Sequence, residues 1–254
     1  MFPGTRIGEL ETDIIGALER DEIRVHFQPQ FSCRDNRLIA AEALAHWQHP
    51  RMGRLDGASL FEIAGRAGCE ISLSRHVLSQ ALRACARWPG RIGLSVNVTV
   101  ADLLAEDFVE HLLDVLREEQ VSSGRLNIEI TEQAVLSGID ITAARLSMLE
   151  HHGIGIALDD FGAGFCHFGY LKKLPLAGLK LDRSMVDGIS NNLRDLAVFR
   201  GILAMAKALG LWVVAEGIET TSMREAARRE GCAAWQGFLG GKPLTEEEFS
   251  QLAG

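Results

Sequence analysis

The sequence lacks the arrangements that mark a disulfide scaffold, a zinc site or a Rossmann sheet. Its five cysteines, Cys33, Cys69, Cys85, Cys166 and Cys232, are odd in number and never spaced as CxxC. They read as reduced thiols of a cytoplasmic protein, mostly filling core. The eight histidines form neither HxH nor HExxH, which argues against zinc, and no GxGxxG follows the first strand. No apolar run approaches the length of about 20 residues that spans a bilayer, and Met1 to Leu10 lacks a basic-then-apolar leader pattern. No membrane contact is expected from this segment. A basic excess is missing too: net charge is −8, so neither DNA nor RNA is an expected partner. A small anion stays compatible if metal ions or local bases reverse the field at its site.

What is present is an alternation of strand and helix. Ile23 to Pro29 and Leu38 to Leu44 read as strands, with only Cys33 to Arg37 between their cores. That is hairpin length, so the two should pair antiparallel. Further strands are expected at Gly93–Val98, Leu126–Ile130, Gly153–Leu158, Gly178–Asp182, Leu211–Glu216 and Ala233–Gln236, with helical spacing between them. Leu10 to Arg20 reads as a first helix, with Thr12 and Asp13 as start signals, and Thr245 starts the last one. No linker interrupts the series, so residues 1–254 read as one domain. The economical fold is an α/β, TIM-like (β/α)8 barrel with one antiparallel strand near the N-terminus. A doubly wound open sheet is the alternative.

The stretch from Leu158 to Gly164, Leu-Asp-Asp-Phe-Gly-Ala-Gly, organises the rest. Side chains alternate along a strand, so Asp159 and Asp160 can converge only where the strand ends and the backbone kinks. Gly162 and Gly164 are expected to permit that kink. Two carboxylates about 4 Å apart repel by about 4 kcal/mol at an effective dielectric of about 20. A divalent cation between them removes the conflict. An Asp pair capping a helix is the plainer reading of this stretch taken alone.

Seven expected strands end in polar side chains: Glu42, Asn97, Glu129, Asp159 with Asp160, Lys180 with Asp182, Glu216, and Gln236. In a barrel these ends face one rim. Carboxylates and amides, with neither thiol nor imidazole, suit Mg²⁺ or Mn²⁺. Several acids and a lysine suit two metals sharing an aspartate, which serves in-line phosphoryl displacement. The competing account is a buried ion-pair network neutralised by Lys180, but one lysine cannot balance so many acids.

Glu42-Ala43-Leu44 resembles the motif that names the EAL-domain cyclic di-GMP phosphodiesterases. The likeness runs through Gln28-Pro29, Asn97-Val98-Thr99, Glu129-Ile130-Thr131-Glu132, Asp159-Asp160-Phe161-Gly162, Leu179 to Ser184, Ala215 to Glu219 and Gln236 to Leu239. It spans about residues 10–243. The resemblance implies two Mg²⁺ or Mn²⁺ ions per site, hydrolysis of cyclic di-GMP to linear pGpG, and a homodimer. It further implies Glu42, Asn97, Glu129 and Asp159 as ligands of the first metal, and Asp159, Asp160 and Glu216 as ligands of the second. Lys180 would position the attacking water, with Glu216 and Asp160 beside it. Gln28, Leu44, His46, Asp182, Glu219 and Gln236 would bind substrate or support the site, and Glu132 would anchor the loop after Asp160.

The chain departs from the family in places. His46 stands where an arginine is usual, and imidazole is a weaker, mostly uncharged grip on phosphate at neutral pH. Ala163, Cys166 and His167 replace hydroxyl residues of the loop, and Ala233 stands where aspartate is common. A Cys166 thiol nucleophile beside His167 is disfavoured, because adjacent side chains rarely point together. Trp47, Trp212 and Trp235 read as packing residues. A non-catalytic cyclic di-GMP receptor, and another metal-dependent lyase or hydrolase on the same scaffold, are the competing functions.

Overall fold

The expected hairpin forms, and it closes a barrel. A computed structural model describes residues 7–136, 138–164 and 169–254. β1 (Ile23–Ser32) and β2 (Leu38–His49) pair antiparallel, with Gln28 opposite Glu42. Five parallel strands follow from β2: β4 (Gly93–Asn97), β5 (Leu126–Thr131), β6 (Gly155–Phe161), β7 (Gly178–Leu181) and β8 (Trp212–Ala215). β9 (Ala234–Gln236) joins β8 in parallel and β1 antiparallel, so β1 is the reversed strand that completes the circle. This is the TIM-like barrel, with helices packed outside.

β1 carries Pro29, which cannot donate to a ladder. Phe27, two residues earlier and so facing the same edge, bonds Leu244 in both directions, while β9 pairs only from Gln30 onward. The proline falls in the gap between them. β2 runs further than expected, to His49, and its last residues leave the barrel to pair with an extra short strand, β3 (Gly53–Leu55). Glu42 therefore lies within β2 rather than at its end.

The first helix, α1 (Ile7–Ala17), begins before the expected signals. Thr12 sits inside it and donates back to Gly8 O, and Asp13 pairs with Arg51. The second and third helices, α2 (Gly57–Ala67) and α3 (Glu70–Ala86), cover the hairpin side. Thr245 does cap the final helix: its side chain accepts from Glu248 N, and its own N–H donates to the Glu248 carboxylate. The three tryptophans pack: Trp47 is fully buried with Nε1 on Glu22, Trp235 stacks on Phe31, and Trp212 lies against Gly178. Burial pushes the Cys33 and Cys85 thiols up to about 11, so both are inert filler. Cys166 and His167 lie outside the described residues. No described helix is long and apolar enough to cross a membrane.

Gly237 follows β9 with φ +156°, and a Cβ there would stand 2.2 Å from Ile218 O. The obstacle is the Ile218 backbone, which cannot swing aside as a side chain could. We expect Gly237→Ala to cost about 3 kcal/mol or more, against about 1 kcal/mol for Gly231→Ala, whose Cβ would meet nothing. In a thermal melt the first lowers Tm by about 6–12 °C; equal losses for the two variants would contradict the close approach.

Candidate metal centre

Convergence of the paired aspartates depends on one irregularity in β6. Leu158 pairs with Leu179, but the next partner is Phe161 opposite Leu181, three steps on β6 against two on β7. The extra residue is a bulge, which re-aims side chains next to it. Asp160 itself takes the left-handed conformation, φ +54°, and Gly162 follows at +99°. Aspartate tolerates this region better than most residues. The kink thus lies at Asp160 and Gly162, whereas Gly164 shows no positive φ.

The bulge brings carboxylates together in two triads. Oxygens of Glu42, Glu129 and Asp159 lie within 4.8 Å of one another, as do those of Asp159, Asp160 and Glu216, with Asp159 common to both. Amides hold the first triad. Asn97 Nδ2 donates to Glu42 Oε1 at 2.9 Å, and Gln236 Nε2 to Glu42 Oε2 at 2.7 Å. Gln30 Nε2 donates in turn to Gln236 Oε1 at 2.9 Å. Gln30 is not among the residues expected from the sequence, yet the signal is there: it shares a strand face with Gln28 and is equally polar in an otherwise apolar run.

Lys180 stands among these acids, fully buried. Its Nζ lies 3.0 Å from Glu42 Oε2, 2.7 Å from Glu129 Oε2, 3.0 Å from Asp159 Oδ1 and 2.8 Å from Glu216 Oε1. The ion-pair network weighed against a metal site is therefore present, but it is incomplete. An ammonium has three N–H donors for four oxygens, and Asp160 belongs to the same cluster. Glu129 Oε1 is buried with no hydrogen-bond partner among the described residues.

The charge surplus shifts the acids away from their ordinary pKa values. Burial raises Glu129 well above the usual carboxylate range, with Glu42 and Asp159 adding to the shift against the pull of Lys180. Burial likewise raises Asp159 and Asp160, and pushes Glu216 up to about 8. Glu42 moves the other way: Lys180 and its two amide donors outweigh its burial. Burial would lower Lys180, but the surrounding acids hold it well above its ordinary value. The donor set is all oxygen, crowded and short of positive charge, which fits hard divalent cations.

The remaining predicted residues divide. Gln28 lines a cavity of about 190 Å³ with Glu216, Glu219 and Gln236. Glu219 pairs at the rim with Arg183 Nη1 at 2.7 Å. Leu44 and His46 line a larger cavity, about 680 Å³, beside Asn97. Asp182 is not in the acidic cluster; it caps the helix Arg183–Val186 through Ser184 N. Glu132 opens the helix Glu132–Leu136, and its Oε1 is buried with no partner among the described residues.

A (β/α)8 barrel with a reversed first strand and two carboxylate triads at its C-terminal rim defines the class. The profile of the EAL domain matches residues 11–243, and the chain belongs to that family. The bifunctional diguanylate cyclase/cyclic di-GMP phosphodiesterase MucR of Pseudomonas aeruginosa is 31% identical over 245 residues, 95% of this chain and 36% of MucR. The cyclic di-GMP phosphodiesterase NbdA of the same species is 33% identical over 240 residues, 93% of this chain and 31% of NbdA. The chain thus spans about a third of the length of these curated relatives. Among solved structures, the MucR phosphodiesterase in complex with c-di-GMP aligns with a TM-score of 0.88 at 31% identity, over 95% of this chain and 99% of that one. The EAL enzyme Bd1971, bound to cAMP and cyclic-di-GMP, gives 0.91 at 26% identity over 98% and 69%.

The raised acids set a sign for stability against pH in the metal-free protein. A group whose folded pKa lies above its ordinary value contributes stability that is complete below the ordinary value and lost as pH rises through the folded one. For Glu216 that window runs from 4.5 to about 8. Melts in chelator should lose Tm across it, and Glu216→Gln should flatten the slope; an unchanged slope would contradict the assignment.

Proposed function

We propose that this domain is a metal-dependent phosphodiesterase that hydrolyses cyclic di-GMP to linear pGpG. The observation that carries the reading is the pair of triads sharing Asp159 in an all-oxygen, over-acidic rim. The family and the phosphodiesterases it resembles support it. Glu42, Asn97, Glu129 and Asp159 would hold one Mg²⁺ or Mn²⁺, and Asp159, Asp160 and Glu216 the other. When bound, the two ions would supply water of lowered pKa near neutral pH and positive charge for the phosphate oxygens.

The chain's own residues do the rest. Gln236, fixed by Gln30, and Asn97 aim the Glu42 carboxylate, so the first site costs little reorganisation. Once its carboxylates are engaged elsewhere, the Lys180 ammonium has donors free to hydrogen-bond the attacking water or a developing phosphate oxygen. Gln28 and Glu219 border the second triad. Leu44 and His46 lie in the adjoining cavity, which has room for the nucleotide. Glu132 would anchor the loop after Asp160, and the domain would work as a cytoplasmic homodimer.

One observation favours the competing receptor reading. Burial, with His26, Arg54 and Arg24 adding to it, pushes His46 down to about 4, so the imidazole carries no charge for phosphate at neutral pH. Incubation with cyclic di-GMP and Mg²⁺ or Mn²⁺, followed by chromatography, separates the two. We expect pGpG, and a fall of about 100-fold or more in rate for Asp159→Asn. His46→Arg should lower KM with little change in kcat. Tight binding without product would favour the receptor, and neither binding nor product would exclude both.

A further inference from the structure

The cavity of about 680 Å³ beside Asn97 is lined mainly by apolar groups and backbone, and its charged side chains are Arg54, Asp56 and Glu70. Asp56 is committed to capping α2, accepting from Ser59 N at 2.9 Å. Glu70, at the start of α3, has its Oε2 turned toward Gly65 of α2. Arg54 comes from β3, the strand outside the barrel. It sits opposite Gln48, so its side chain leaves the sheet on the face shared by His46, Leu44 and Glu42.

Arg54 has no carboxylate partner among the described residues. Its Nη2 lies 3.4 Å from His26 Nδ1, and the His26 and His46 rings meet edge to face with centroids 4.2 Å apart. His46 Nδ1 is buried with no hydrogen-bond partner among the described residues. Both imidazoles are held below their ordinary value, burial being the first cause and Arg54 contributing to each. The guanidinium is thus the fixed positive charge of this cavity, beside two neutral rings. His26 pairs with Leu44, two residues beyond Glu42 along β2, so the guanidinium stands about 7 Å of strand past the first triad.

We propose that Arg54 grips a phosphodiester of the bound cyclic dinucleotide, the one farther from the acidic triads. A ligand with two phosphates needs a cation at each end, and the triads with their metals serve only one. Arginine suits the other, because its planar fork matches two phosphate oxygens and stays charged at every working pH. This rests on the phosphodiesterase reading and adds a specificity-determining residue to it.

The test is steady-state hydrolysis of cyclic di-GMP by the wild-type domain, Arg54→Ala, Arg54→Lys and the double variant Arg54→Ala/His46→Arg. Arg54 is exposed, so its two single variants should melt within a few degrees of wild type, which separates binding from folding, and a melt of the double variant, which also changes the buried His46, is read beside its KM. We expect Arg54→Ala to raise KM by about 10- to 100-fold with kcat within about threefold, and Arg54→Lys to fall between. A guanidinium at position 46 projects from the same face, and should return KM most of the way to wild type. An unchanged KM in Arg54→Ala, or a rise that His46→Arg does not reverse, overturns the proposal. Absence of pGpG from the wild-type domain instead overturns the phosphodiesterase reading.

Discussion

Four carboxylates surround one ammonium at the C-terminal end of the barrel, and a fifth stands close by. Bringing acids out of water is costly unless each finds a partner. Lys180 supplies only part of what is required, and the shortfall shows as raised carboxylates and as a Glu129 oxygen with no partner among the described residues. These side chains by themselves are therefore held together but not neutral. In our account the same imbalance gives divalent cations their affinity, with Lys180 holding the acids in place until they arrive.

The fold serves this cluster. Parallel strands deliver their polar ends to one rim, and the reversed first strand contributes Gln28 and Gln30 from the opposite chain direction. The β6 bulge converts two neighbouring aspartates from opposite-facing to convergent. A chain of amides from Gln30 through Gln236 to Glu42 and Asn97 then sets the orientation of the acid at the hub. Beyond the rim, β2 overshoots the barrel and carries β3 with it, which places a guanidinium over the cavity next to the acids.

Much of this was legible because it rests on local rules. Apolar runs of strand length mark the strands, a hairpin-length gap dictates the antiparallel pair, and adjacent aspartates before a glycine require a kink. What escaped depends on tertiary pairing. The overshoot of β2 and the existence of β3 come from cross-strand hydrogen bonds that a three-residue segment, Gly53–Leu55, does not advertise. The left-handed turn fell on Asp160 and Gly162 rather than on Gly164, because the register with β7 decides where the extra residue goes. Lys180 is fully buried among the rim acids, and a lysine in a short strand gives no sign of the four carboxylates that meet it. The early start of α1 reflects Thr12 bonding back within the helix, where a cap had been expected.

Anomalous diffraction from crystals soaked in manganese addresses the central claim most directly. Two peaks per chain are expected, one among Glu42, Asn97, Glu129 and Asp159 and one among Asp159, Asp160 and Glu216, with Lys180 withdrawn from the carboxylates. A saturating soak that leaves no peak there, with the ammonium still bound by its four acids, would contradict it.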